Sequence, residues 1–75
     1  KYGVRKSLMN TLNWLDTNDI AIELCEKYPD IDPQRISFPD LHNKICGLDN
    51  FIGNPQGSNE KILEAIQMLW IEESL

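Results

Sequence analysis

The carboxylates are the side chains of this sequence whose type and spacing suggest a binding role. Asp16, Asp19, Glu23 and Glu26 follow one another at intervals of three, four and three residues. Residues three or four apart are neighbours on one face of a helix, and like charges at that spacing repel each other. The pattern therefore indicates either a solvated helix face or a face whose repulsion is relieved by a basic partner or a cation.

Further acids follow the ends of two predicted helices. Asp30 and Asp32 lie within "YPDIDP" at 28–33, directly after the first helix, and Glu72 and Glu73 lie near the end of the third. A carboxylate close to the carboxyl end of a helix meets the negative end of the helix dipole, which is unfavourable. The two prolines of the first segment should hold it stiff and present its acids beside the helix face.

The charge of the chain is unevenly distributed. Twelve Asp and Glu against seven Lys and Arg give a net charge of −5, and three of those bases lie in the first thirteen residues. Residues 14–75 thus carry twelve acids against four bases, or −8. Such a domain repels a phosphate backbone, so nucleic-acid binding is not expected. It should attract basic protein surfaces or metal cations.

We therefore divide the chain into a basic N-terminal tail, 1–13, and an acidic domain, 14–75. The polar first residues are not expected to be a secretory signal peptide, and a remnant of a targeting segment is the alternative. No apolar run approaches the roughly 20 residues that a membrane span needs.

The cysteines and the histidine do not suggest a metal centre or an enzyme. Cys25, His42 and Cys46 offer three ligands without paired spacing, whereas structural zinc sites usually have four. We interpret the cysteines as small apolar side chains and His42 as a surface or cap-bonded imidazole. The chain has no nucleophile–histidine–acid constellation and no phosphate-binding glycine loop, so catalysis is not predicted.

Three helices should position these residues. The first is predicted over 16–28, starting at Asp16 or the next residue, with Asp16 as its cap. The second is predicted over 39–47 after a Ser37 cap, and the third begins after "NPQGS" with Ser58 as its cap.

The apolar residues of these helices predict one small core. The fold class is mainly all-α, a small three-helix, winged-helix-like domain, with an orthogonal bundle as the alternative. The residues expected at its centre are Trp14, Leu24, Leu41, Ile45, Ile66 and Trp70.

Several motifs together resemble one family. They are "WLD" at 14–16, "YPDIDP" at 28–33, "FPDLH" at 38–42, "IC" at 45–46, Phe51 and "NPQGSNEKILEAIQMLW" at 54–70. With this spacing the chain resembles the IscX (YfhJ) proteins of the bacterial iron–sulfur cluster operon.

The resemblance implies an acidic adaptor without catalytic activity of its own. Such proteins bind the cysteine desulfurase, IscS, at a site overlapping that of frataxin, and they modulate cluster assembly. Other cluster-assembly proteins are further candidate partners. They also bind Fe(II) weakly, so an iron donor or iron sensor is the alternative function. No tightly bound cofactor is expected, and the protein is expected to be a monomer. The resemblance implies a cytoplasmic protein if bacterial and a mitochondrial one if eukaryotic.

The family's acids carry over by position. The residues implied for desulfurase binding are Asp16, Asp19, Glu26, Asp30, Asp32, Glu72 and Glu73. Those implied for weak iron binding are Asp16, Asp19, Asp30, Asp32 and Asp40. Glu23 matches no family acid. The family often has an acidic run before "PQ", whereas residues 49–54 here read "DNFIGN" and carry a single acid.

Overall fold

Three α-helices form the framework of the protein. The computed structural model describes residues 11–75, in which α1 spans Thr17–Lys27, α2 spans Phe38–Cys46 and α3 spans Glu60–Ser74. A short 3-10 turn, Pro55–Gly57, precedes α3. The prediction of a mainly helical, three-helix domain is confirmed. No helix in this part of the chain combines the length and the apolar character needed to cross a membrane.

The first helix forms because its apolar residues fall on one side. Ile20, Ala21 and Leu24 are buried, and the helix ends where Tyr28 donates its backbone N–H to the Leu24 carbonyl, 2.8 Å away. Asp16 occupies the N-cap position, but the prediction that its side chain caps the helix is wrong. The carboxylate accepts a hydrogen bond from a residue earlier in the chain instead.

The other two helices begin at side-chain caps. Ser37 Oγ accepts from the Asp40 N–H at 3.3 Å, which confirms the predicted cap of α2. The predicted cap of α3 was wrong by one residue. Asn59 Oδ1, and not the Ser58 hydroxyl, accepts from the Ile62 N–H at 2.9 Å, because Asn59 is the last extended residue before the helix. Both residue types favour this position, so composition alone does not separate them.

One hydrophobic core lies between the helices, and α1 packs most extensively against α3. All six residues predicted at its centre are buried. Leu12 is buried as well, and it pairs with Phe51 in an isolated parallel bridge. Residues 1–10 lie outside the described part of the chain, so the basic tail over 1–13 stays a prediction.

The segment between α2 and α3 is fastened by aromatic rings. Trp14 Nε1 donates to the Asn54 carbonyl at 2.6 Å, and the Phe51 ring lies edge-on to Trp14 with 4.7 Å between centroids. The neighbouring Ile52 projects outward, with 66% of its surface exposed. This turn-rich segment is thus held against the residues that precede α1.

Candidate functional site

The candidate site is the acidic face, defined here as the seven acids predicted to bind a partner. Two of them, Asp19 and Glu26, lie on α1 two turns apart and therefore on the same side of the helix. Glu23 lies between them on that side. Asp19 is half-buried and Glu26 is exposed, and the buried residues of α1 occupy another side. The helix therefore presents carboxylates in a row, as the spacing predicts.

Asp16 stabilises the turn before α1 in addition to contributing charge. Its Oδ2 accepts from the Asn13 N–H at 3.0 Å, and its own N–H donates to the Asn13 carbonyl at 3.0 Å. Asn13 Oδ1 also accepts from the Leu15 N–H at 2.9 Å. These three bonds close a rigid turn, so the Asp16 carboxylate has a fixed position at the start of the acidic face.

"YPDIDP" is a turn held by local hydrogen bonds. The Ile31 N–H donates to the Tyr28 carbonyl at 3.2 Å, and the Ile31 side chain packs against the core. Asp32 Oδ1 accepts from the Gln34 N–H at 3.0 Å, while Asp32 Oδ2 lies 3.7 Å from Arg35 Nε. Asp30 lies in the same turn and is exposed.

The ion pair distinguishes the two acids of this turn. The side chains of Arg35 and Asp32 are 85% and 55% exposed, so the pair is screened by water and contributes little to stability. It nevertheless places a positive charge beside Asp32. Asp30 is therefore the stronger candidate contact for a basic partner.

Glu72 and Glu73 lie at the end of α3 and are exposed. Gln67 of α3 donates its side-chain amide to the Pro33 carbonyl at 2.8 Å, which ties the middle of α3 to the segment that follows α1. Gly57, just before α3, lies against the Trp14 ring that precedes α1. These two contacts fasten α3 to the segments that precede and follow α1.

The acids predicted for iron do not form a chelating cluster within residues 11–75. No three His, Cys, Asp or Glu side chains there are placed so that they could hold one metal ion. Asp40 lies on α2, while Asp32 bonds to its own turn and to Arg35. Carboxylate oxygens suit hard cations, but a firm site needs several converging ligands. Weak Fe(II) binding stays a prediction from the resemblance, and anaerobic calorimetry tests it.

His42 has a structural role that its sequence context did not reveal. Its Nε2 donates to the Pro55 carbonyl at 2.7 Å, and its ring stacks on Trp14 with 5.5 Å between centroids and 21° between planes. Cys46 Sγ lies 3.9 Å from both ring nitrogens. The imidazole joins α2 to the segment before α3, which is a contact between residues thirteen apart.

Cys46 is not an activated thiol. Burial raises the pKa of its thiol above the ordinary value, because a desolvated thiolate is disfavoured. The thiolate is the nucleophilic form, so a raised pKa lowers reactivity at neutral pH. Both Cys25 and Cys46 are free and half-buried, in agreement with the prediction that they act as small apolar side chains.

Comparison with known proteins gives the chain its family. A family described as "Iron-sulphur cluster assembly" matches residues 12–74. The chain is also 48% identical over 63 residues to an uncharacterized protein of Pseudomonas aeruginosa, an alignment that covers 84% of this chain and 96% of that protein. The matched region contains all the residues of the acidic face. This chain belongs to the IscX/YfhJ family, a family of iron–sulfur cluster assembly.

Proposed function

We propose that this protein is an acidic adaptor that binds an IscS-like cysteine desulfurase and modulates its activity in cluster assembly. The site on the desulfurase overlaps the one that frataxin uses. The observation that carries the proposal is the row of carboxylates on α1, which is followed along the chain by the exposed Asp30 in the next turn. Family membership supports the setting in cluster assembly.

Electrostatics explains why such a face suits docking. Residues 14–75 carry twelve acids against four bases, and a basic surface on the partner is attracted over several ångströms before contact. Complementary charge mainly raises the association rate and orients the encounter. The turns at Asn13–Asp16 and Asp32–Arg35 are closed by hydrogen bonds, so the face loses little freedom on binding.

The adaptor acts by binding rather than by catalysis. In this proposal the chemistry of cysteine desulfuration belongs to the partner, and the adaptor changes the partner's turnover by occupying its surface. A titration should therefore show that desulfurase activity changes in proportion to the bound fraction. The adaptor alone should produce no alanine or sulfide from cysteine.

Charge reversal on the acidic face tests the docking. We expect the double variant Glu26→Lys/Asp30→Lys to weaken desulfurase binding by about tenfold or more at low salt, which is about 1.4 kcal/mol. Both positions are exposed, so the fold should persist, and circular dichroism checks this. Isothermal titration calorimetry with a purified IscS-type desulfurase measures the affinity.

Glu64→Lys is the matched control for each reversal. Glu64 is exposed on α3 away from its buried side, and its reversal makes the same charge change. It should bind with nearly unchanged affinity. Wild-type affinity in the double variant, or an equal per-site loss in the control, would show that the acidic face is not the docking site.

A further inference from the structure

We propose that α3 carries a self-complementary seam through which two copies of this chain associate, weakly and antiparallel. The seam consists of Lys61, Ala65, Met68 and Glu72 on α3 and of Leu75, the residue directly after the helix. These residues follow one another at intervals of four, three, four and three, the spacing of the contact positions of a coiled coil. All five are exposed, Met68 by 54% and Leu75 by 93%.

The seam is the outer side of α3. The residues that α3 buries in the core are Leu63, Ile66 and Trp70, on the other side of the helix. On the outer side, Lys61, Glu64, Ala65 and Met68 line a shallow hollow. The small Ala65 side chain leaves room there, and a longer apolar side chain from another helix can fill it.

A second copy of α3 supplies that side chain. When two α3 helices lie antiparallel about a two-fold axis between residues 66 and 67, Ala65 of one copy faces Met68 of the other. Lys61 then faces Glu72 of the second copy. Each contact occurs twice, because a two-fold interface uses the same patch on both subunits. The seam is therefore complementary to itself in both shape and charge.

The helix dipole favours the same arrangement. Lys61 lies in the first turn of α3 and Glu72 in the last, and each charge is unfavourable at that end of its own helix. In an antiparallel pair, Lys61 lies beside the negative end of the second helix and Glu72 beside the positive end. Charges that destabilise the isolated helix thus stabilise the pair.

The size of the seam sets the strength of association. The contact between two single helix faces buries less surface than the roughly 1,600 Å² of a standard stable interface. The pair should therefore form reversibly, with a dissociation constant on the order of 0.1–1 mM. At micromolar concentrations the chain is then a monomer, as the family resemblance implies. This inference does not rest on the proposed function, because no desulfurase enters its test. Glu72 belongs to both surfaces, so the pair would cover part of the acidic face.

A charge swap tests the pairing. Sedimentation equilibrium over a concentration series up to about 1 mM should show self-association of the full chain. Lys61→Glu and Glu72→Lys should each lower the association constant at least about threefold. The double variant Lys61→Glu/Glu72→Lys should restore it, since opposite charges face each other again. The swap leaves the net charge unchanged, so restoration cannot come from weaker overall repulsion.

Glu73→Lys is the control for the single reversal. It makes the same charge change one residue along, off the seam, and relieves the same unfavourable position near the end of the helix. Its association should equal or exceed that of the wild type. A wild-type chain that stays monomeric over the whole series would overturn the proposal. So would a double variant that associates no better than the single variants.

Discussion

Trp14 is the residue at which three parts of the chain meet. Its indole N–H bonds to Asn54, its face stacks on His42 of α2, and it lies 6% exposed in the core. Gly57 approaches the same ring so closely that a Cβ built there would lie 3.0 Å from Trp14 Cδ1. Substitutions around this ring should therefore change the stability of the fold more than the binding properties of the acidic face.

Gly57→Ala should destabilise the protein by about 1–3 kcal/mol, because the added methyl group must displace a ring that is fixed by a hydrogen bond and two aromatic contacts. Urea unfolding followed by tryptophan fluorescence measures the loss. Gly47→Ala is the control. A Cβ there would meet nothing closer than 3.4 Å, and its φ of −86° suits any residue. Equal stabilities of the two variants would contradict the close approach.

Cys46 should react slowly with iodoacetamide in the native protein. Burial raises the pKa of its thiol, so the reactive thiolate is scarcer at a given pH than in the unfolded chain. The Cys25→Ala variant isolates this residue, and its alkylation is compared in buffer and in urea. The pH at which the rate reaches half its maximum should be higher for the native form. The reverse order would contradict the effect of burial.

The raised pKa also fixes the sign of a stability change. The folded state holds the thiol proton more tightly than the unfolded state, so this contribution is fully present below the unfolded pKa. It is lost as the pH rises through the folded pKa. The alkaline decline of the free energy of unfolding should be shallower in Cys46→Ala than in the wild type.

At the scale of the elements, the start of a helix depends on which side chain accepts a hydrogen bond from its first turn. The cap of α3 is the clearest case, because two adjacent residues of suitable type compete for it and Asn59 makes the bond. The side chain that bonds depends on which backbone turns first from extended to helical. Ser58 and Asn59 have similar preferences for the cap position, so local propensity does not decide between them.

Asn59→Ala should lower the free energy of unfolding by about 1 kcal/mol, since the Ile62 N–H loses its acceptor. Ser58→Ala should change it by much less, because no cap bond involves the Ser58 hydroxyl. Chemical denaturation of the two variants under the same conditions checks this. A larger loss in Ser58→Ala would show that the helix starts one residue earlier in solution.

The helices and the core were predictable from sequence because they depend on the spacing of apolar residues and on residues that end helices. Pro29 ends α1 and Gly47 ends α2, and the buried residues recur at helical intervals. The row of acids on α1 was predictable for the same reason. The roles of Asp16 and Asp32 were not, because an acid before a helix or in a turn has several possible donors of similar strength.

Contacts across the chain were the other part that sequence could not predict. His42 and Pro55 are thirteen residues apart, and Trp14 and Asn54 are forty apart. Neither pair has a spacing that belongs to a helix or a turn. The bridge at Leu12 likewise depends on where the segment after α2 lies.

At the scale of the whole molecule, charge is the dominant feature. Twelve acids against four bases in residues 14–75 create a negative field that extends beyond any single contact. Salt screens such a field over about 8 Å at physiological ionic strength. A protein that docks through it should be sensitive to salt during approach and less so once bound.

The association rate with the desulfurase should fall by about tenfold or more between roughly 50 and 500 mM NaCl. The dissociation rate should change far less, because the bound charges are partly desolvated. Surface plasmon resonance measures both rates separately. If salt acted mainly on dissociation, short-range contacts rather than long-range attraction would dominate the complex.

The pairing of Leu12 with the segment at Phe51 closes the chain between them into one long loop. Leu12 donates its N–H to Asn50 and accepts from Ile52, both at 2.8 Å, and these bonds join distant parts of the chain. Closing a long loop costs chain entropy, and this cost grows with the length of the loop. Helices need only local contacts and form within about a microsecond. The loop should therefore close late in folding. In the native state the amides of Leu12 and Ile52 should exchange with deuterium only when this loop opens.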